Sequence, residues 1–244
     1  MPCVDDQVVA VRRALDLLDA FGIDDGHLTI AELARRTALP KTSALRLART
    51  LQSSGYLVQE EGGAWRLGPS TAWLAARYQV AFDLKGAVRP ALQALALATG
   101  KAATFFVREA NARVRLMRVE VGGIDAPPHI GEQLPLDRGS PGKVILAFTG
   151  KAGKLFEKIR RDGFHITIGE ARKRSASVSA PVFGPGWSVV GAINISCSSE
   201  GVRREDLAAY APAVMDAGRR LSSVFMQAKS ISNRVRPPAS YWHP

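Results

Sequence analysis

Between Glu32 and Glu60 the chain has no acidic residue, while Arg35, Arg36, Lys41, Arg46 and Arg49 all fall in that interval. Cations without carboxylates create the positive local field that phosphate contacts require. Thr42 and Ser43 stand among them, and short hydroxyls together with arginine are donors suited to base edges in a major groove. Thr42, Ser43 and Arg46 are therefore candidates for groove contacts. Lys41 and Arg49 are candidates for phosphates, with Arg35 and Arg36 in the same DNA-facing set. Arg66, further on in Trp65-Arg66-Leu67, could touch a backbone phosphate, whereas Trp65 suits packing.

These groups need a rigid frame. In residues 8–21, Val8, Val11, Leu15, Leu18 and Phe21 recur at helical spacing opposite charged residues, which predicts an amphipathic helix ended by Gly22. Thr29, with Glu32 three residues on, forms a capping box for a second helix whose Ile30, Leu33 and Ala34 face a core. A turn at Ala38-Leu39-Pro40 leads to a third helix, because proline is tolerated in a first turn. There Ala44, Leu47, Ala48 and Leu51 share one face, and the polar and basic residues lie mostly on another. Gly55 stops it. Tyr56–Val58 and Trp65–Leu67 read as strands, and Gly62-Gly63 suits the hairpin between them. A basic face on a lone helix is ordinarily a solvated face. Two helices at a tight turn, followed by a two-stranded ribbon, form the pattern of a winged helix-turn-helix, which places its second helix in the major groove of DNA.

A length of 244 residues suits two domains, and 46% hydrophobic with 23% charged residues describes a globular chain. The formal charge of +11 does not locate the DNA site. Residues 1–68 carry eight Lys/Arg against nine Asp/Glu, and the remainder carries 25 against 13. The C-terminal excess serves solubility or attraction for anionic ligands. No apolar run approaches the roughly 18 residues needed to cross a bilayer. The acidic start lacks the pattern of a secretory signal. Cys3 and Cys197 make neither a disulfide framework nor a metal cluster, so a cytoplasmic setting is expected.

Past the wing, residues 70–80 predict a helix capped by Ser70, whose apolar Trp73, Leu74 and Tyr78 could support a dimer seam. Another amphipathic helix over 85–99 stops at Gly100. Ala102–Val107 and Arg113–Val119 have strand character, joined by a turn at Glu109–Ala112. Strict alternation puts Arg113, Arg115 and Met117 on one side and Val114, Leu116 and Arg118 on the other. Ser140 suits an N-cap and Pro141 the first helical position, giving either an ordinary capped helix or a helix N-terminus that receives a carboxylate. Gly142-Lys143 does not extend to a triphosphate loop, because Asp137 and Val144 occupy the positions that need glycine and a hydroxyl. Asn194 and Ser196 share one side of a strand opposite Ile193 and Ile195, either lining a pocket or facing solvent. Residues from Arg203 to Ala228 predict a helix kinked at Pro212, with Leu207, Val214, Ala217, Leu221 and Val224 at core spacing. The 229–244 tail has a poorly ordered composition.

Further blocks join this pattern: Ile130–Leu136 leading into Gly139–Phe148, then Ile159–Phe164, then Ser177–Val182 with Val189–Ser196. In this order, after a wing closing on Trp65-Arg-Leu-Gly68, the chain resembles the IclR family of bacterial transcriptional regulators to about residue 226. The resemblance implies an α+β protein: a winged helix-turn-helix domain over 1–69, a linker helix over 70–82, and an effector-binding and oligomerisation domain over 83–228. The last would be GAF-like, a curved antiparallel sheet flanked by helices. It also implies a homodimer or dimer of dimers on double-stranded operator DNA. A small organic or aromatic acid would alter operator binding or contact with RNA polymerase. Leu134, Ser140, Pro141, Ser177, Asn194 and Ser196 occupy positions that line the family's effector cavity, with Gly139 and Gly142 in the same loop. Thr167 stands where many members carry an acid, and Pro141 and Asn194 replace smaller residues. The lost negative charge at Thr167 favours an anionic ligand.

An enzyme carrying a DNA-binding-like domain is the alternative. No nucleophile-elbow pattern is present, His27, His129, His165 and His243 are scattered, and zinc spacing is missing. No catalytic residue, metal or cofactor is assigned. An architectural, sequence-indifferent DNA binder has no use for so large a second domain.

Overall fold

The computed structural model describes residues 7–80, 82, 84–120 and 131–227, with the side chains of Gln79, Leu84 and Lys85 excepted. Expectations for His129, Ile130 and the 229–244 tail lie outside them. Contacts divide the chain into two units, Met1–Val80 and Ala81–Pro244.

The first unit contains α1 (Val9–Asp19), α2 (Ile30–Arg36), α3 (Lys41–Ser53), β1 (Leu57–Gln59), β2 (Trp65–Leu67) and α4 (Pro69–Val80). Leu17, Leu28, Leu33, Ala34, Ala44, Ala48, Leu57 and Trp65 form its core. The capping box on α2 is present: Glu32 N–H donates to Thr29 Oγ1 at 3.2 Å, and Thr29 N–H donates to Glu32 Oε2 at 2.8 Å. The β1–β2 hairpin pairs Val58 with Arg66. Leu28 and Trp65 exchange backbone bonds of 2.7 and 2.8 Å, which adds a third extended segment to the wing.

Helix α1 departs from the sequence expectation. Val8, Val11 and Leu15 are 67%, 56% and 52% exposed, and the buried residue is Leu17, with Leu18 and Phe21 partly packed. Helix α1 meets the unit through α3 alone among its main contacts, so only a narrow strip of a widely apolar helix is covered. It ends at Asp19 with Ala20 as C-cap, before Gly22. Ser70 does not cap α4; its hydroxyl donates to the Ser54 carbonyl at 2.9 Å. Trp73, Leu74 and Tyr78 are exposed.

The second unit is built on a six-stranded antiparallel sheet in the order β5-β4-β3-β8-β7-β6. Its strands are β3 (Ala102–Glu109), β4 (Ala112–Val119), β5 (Gln133–Pro135), β6 (His165–Ile168), β7 (Ser175–Phe183) and β8 (Val189–Ser198). The helices are α5 (Arg89–Thr99), α6 (Gly139–Phe148), α7 (Lys154–Asp162), α8 (Arg204–Ala208) and α9 (Ala211–Gln227). One sheet face, carrying Phe105, Val107, Leu116, Val178, Ile193 and Ile195, packs on α5 and α9. Helix α6 covers the β6–β7–β8 part of the opposite face and α7 packs on α6, in a cluster that includes Val144, Ile145, Ile159 and Ala192.

Local signals place several ends as expected. Gly100, at φ +62°, closes α5 with its N–H on the Ala96 carbonyl. Glu109 pairs with Ala112 across a two-residue turn. Helix α5 begins at Arg89, behind a π-turn at Leu84–Val88, instead of at residue 85. The expected long C-terminal helix is two helices. Pro212 sits in the first turn of α9, where its missing N–H removes no helical bond, so no kink forms; Val224 is 43% exposed.

Candidate nucleic-acid interface and ligand cavity

Helix α3 buries Ala44 and Ala48 and leaves Thr42, Arg46 and Arg49 exposed. At about 100° per residue these three fall within roughly a 60° arc, opposite the buried alanines. Ser43 is half-buried and lies about 60° beyond one edge of that arc, and the exposed Lys41, in the first turn, lies about 80° beyond the other. Arg35, Lys41, Arg46 and Arg49 are exposed and, among the described residues, enter no ion pair. Two members of the sequence-derived set are occupied. Arg36 is held by Asp25 and by the Ala20 carbonyl at 2.8 Å, and the pair lowers the Asp25 carboxyl below its usual range. This bridge ties the end of α2 to the loop after α1. Arg66 meets Glu60 at 3.4 Å, so the wing charge is partly cancelled. Ala38 turns the chain between α2 and α3 at φ +55°, a left-handed conformation rare for a residue with a Cβ.

In the second unit the sheet face not covered by α6 opens into a cavity of about 820 Å³. Leu134, Pro141, Ser177, Asn194 and Ser196 line it, with Thr104 and Phe106 of β3 between them. The register makes this wall continuous, since Thr104 pairs with Asn194, Asn194 with Ser179, and Ser177 with Ser196. Gly139, Ser140 and Gly142 stand behind the wall. Ser140 does not cap α6; Arg138 is the N-cap residue and Gly139, at φ +76°, starts the helix. The fully buried Ser140 hydroxyl instead bonds Ser177 Oγ at 2.8 Å and Ser179 Oγ at 2.7 Å. The Ser140 N–H donates to Thr167 Oγ1 at 3.0 Å. Thr167 thus uses one of the free N–H groups at the start of α6. Gly142 lets α6 approach the Leu136 carbonyl so closely that a Cβ would collide with it.

Alternation along β4 is broken in a way the sequence does not announce. Phe105 pairs with Met117 but Phe106 pairs with Arg115, so Leu116 is an extra residue in the strand. A bulge of one residue reverses the side-chain parity beyond it. Leu116, Met117 and Val119 consequently serve the core, and Arg118 joins Arg113 and Arg115 on the cavity wall. Arg138, Arg172, Arg174 and Lys101 complete a lining of seven cations against one carboxylate, Glu120. The arginines are the residues missed by sequence reasoning. The only sequence signal for them was their spacing, which under unbroken alternation separates Arg118 from the other two.

The two most buried arginines, Arg113 and Arg115, are 3% and 7% exposed. Burial, reinforced by the neighbouring Arg115, lowers Arg113 to about 10, which leaves it charged at neutral pH. One Arg113 nitrogen serves the carbonyls of Pro135 and Arg138, and both guanidiniums lie 5.5 and 5.6 Å from the Phe106 ring centroid. Arg118 donates to Ser196 Oγ at 3.0 Å and pairs with Glu120 at 2.5 Å. Arg113 Nε, Arg115 Nε and Asn194 Oδ1 are buried without a hydrogen-bond partner among the described residues. Lys143 is paired with Glu170 outside this wall. Among the described residues no group of three His, Cys, Asp or Glu could hold a metal ion, and no helix is long and apolar enough to cross a membrane.

Two family profiles match the chain: the IclR helix-turn-helix domain over residues 10–61, and the C-terminal region of the bacterial transcriptional regulator IclR over residues 152–223. The HTH-type transcriptional regulator XynR of Escherichia coli (strain K12) is 25% identical over 243 residues, spanning 88% of this chain and 96% of that protein. The Pca regulon regulatory protein of Pseudomonas putida is 24% identical over 244 residues, spanning 88% and 84%. Among solved structures, an IclR homologue complexed with 4-hydroxybenzoate, from Microbacterium hydrocarbonoxydans, superposes with a TM-score of 0.72 at 19% identity, covering 88% of this chain and 98% of that one. That likeness shows the fold, and the expected α+β class holds. The relatives are transcriptional regulators, not enzymes.

Proposed function

Since the chain belongs to the IclR family of bacterial transcriptional regulators, we propose that its α3 arc docks in the major groove of operator DNA and that the cavity of its second unit binds an organic acid which alters operator occupancy or polymerase contact. The observation that carries the effector part is the cation-lined cavity, with hydroxyls and an amide on its floor. Such a wall desolvates poorly around a neutral ligand and well around a carboxylate. A homologue of the same fold is complexed with 4-hydroxybenzoate, which supports an aromatic or small organic acid as the class.

On the DNA side, Thr42 and Arg46 would reach base edges, with Lys41, Arg49 and Arg35 on phosphates and Ser43 at the margin. Arg36 positions α2, and Arg66 reaches DNA only by leaving Glu60. The exposed apolar residues of α1 and α4 suit burial against a second copy, and a dimer matches a two-half-site operator. The domain plan is then 1–69 for DNA, 70–82 as linker and 83–228 as sensor, in a cytoplasmic protein. Footprinting on DNA flanking the gene, with and without 4-hydroxybenzoate and related acids, tests this. Protection that shifts with ligand supports it. Loss of protection in no condition, or no protection at all, overturns the corresponding half.

A further inference from the structure

The cavity holds more positive charge than a monocarboxylate can answer. Of six guanidiniums at its wall, Arg113, Arg115, Arg118, Arg138, Arg172 and Arg174, four have carboxylate partners, and these share three acids. Glu132 serves both Arg115 at 2.8 Å and Arg172 at 3.0 Å, Glu120 serves Arg118, and Glu200 lies 3.9 Å from Arg174. Arg113 and Arg138 have no carboxylate within ion-pair distance among the described residues. Arg113 and Arg115 are more than nine-tenths buried, both lie against the Phe106 ring, and each keeps an Nε without a hydrogen-bond partner among the described residues. Burying like charges together is costly unless an anion offsets them. Among the described residues, the seven lining cations against Glu120, Glu132, Glu200 and, at longer range, Asp137 leave three positive charges, so a single carboxylate would still leave two.

Geometry agrees with the charge count. Arg113 and Arg118 are separated by the bulged stretch of β4, roughly 13 Å along the strand at about 3.3 Å per residue. The cavity of about 820 Å³ lies toward the upper end of ligand pockets, which run from about 300 to 1,000 Å³. Leu134, Pro135 and Phe106 give it an apolar side that suits a carbon frame between charged ends.

We propose that this cavity takes a small molecule bearing two or more separated anionic groups, carboxylates or phosphates, on a compact carbon frame. The proposal rests on reading the cavity as the effector site and deepens that reading. The test is calorimetry on the full chain at matched ionic strength with benzoate, isophthalate and trimesate, which carry one, two and three carboxylates on the same ring. We expect isophthalate or trimesate to bind at least tenfold more tightly than benzoate. Arg115→Gln should shrink that ratio. Arg138→Gln should do so too, and because the Arg138 side chain is exposed this variant keeps the test open if R115Q fails to fold. A further arm with 4-carboxyphenyl phosphate identifies the second anion: tighter binding than isophthalate points to a phosphate, weaker binding to a carboxylate, and either outcome above benzoate supports the proposal. Equal affinity for all charges, a ratio untouched by both variants, or binding of no probe overturns it. Should polyanions bind while footprints on flanking DNA stay unchanged, the ligand class stands and the regulatory reading falls.

Discussion

Replacing Arg46 and Arg49 together by alanine removes the two cations of the exposed α3 arc while leaving the core of the first unit untouched. Both side chains are exposed and outside any ion pair among the described residues, and the buried face of α3 rests on Ala44 and Ala48. Arginine and alanine are both good helix formers, so the melting temperature should barely move. Binding should move a great deal. On random-sequence duplex each arginine acts as a phosphate contact, and each lost contact makes the slope of log Kobs against log salt shallower by about 0.9, or about 1.8 per protomer for the pair. On the operator, loss of a base contact by Arg46 adds about 1–3 kcal/mol, roughly a fivefold to hundredfold weakening. Fluorescence anisotropy with labelled duplex over a KCl series reads both quantities. Arg36→Ala is the control: it breaks the bridge to Asp25 and the Ala20 carbonyl, so it should lower the melting temperature without changing the salt slope. An unchanged slope in the double variant, or an equally shallow slope in R36A, refutes the assignment of α3 as the DNA-facing surface.

Other substitutions probe the second unit and the wing. Ser140→Ala should cost about 1–3 kcal/mol in denaturant titration, because the Ser177 and Ser179 hydroxyls each lose a buried partner. Gly142→Ala should destabilise more severely, since its Cβ would strike the Leu136 carbonyl and the Arg113 guanidinium, and the drop in melting temperature measures it. Burial, with Lys143 and Arg204 nearby, lowers His165 to about 4, against about 6.5 when unfolded. The unfolded chain therefore binds the proton more tightly, so the contribution is complete above pH 6.5 and is lost as pH falls toward 4. His165→Gln should flatten this limb by about 1 kcal/mol, a discounted figure because the ring is only half-buried; parallel pH profiles would refute it. Glu60→Gln should release Arg66 on the wing and raise random-duplex affinity several-fold at low salt, and unchanged affinity would mean the wing does not approach DNA.

Much of the frame was legible because it is local. Thr29 and Glu32 make their capping box within three residues, Gly100 ends α5, and the β1–β2 and β3–β4 hairpins pair neighbours in sequence. The alternation of Asn194 and Ser196 against Ile193 and Ile195 marks two faces of β8 as surely as the acid-free interval marks a basic helix. Periodicity alone could not say which apolar residues a neighbour covers. Val8, Val11 and Leu15 obey the helical pattern and are nevertheless exposed, because α1 meets the rest of its unit over a narrow strip.

What the amino-acid order determined by itself was the helices and hairpin of the winged unit, the β3–β4 hairpin, the two faces of β8 and the family they compose, since capping, turns and side-chain period act over a few residues. Tertiary structure alone decided the rest: that Leu116 bulges and turns Arg118 into the cavity, that Arg36 is spent on Asp25, and that Ser140 reaches across to two strands instead of capping α6. Each of these depends on partners brought together from distant parts of the chain. A one-residue change in strand register reverses the facing of every side chain after it, and no local pattern encodes that reversal.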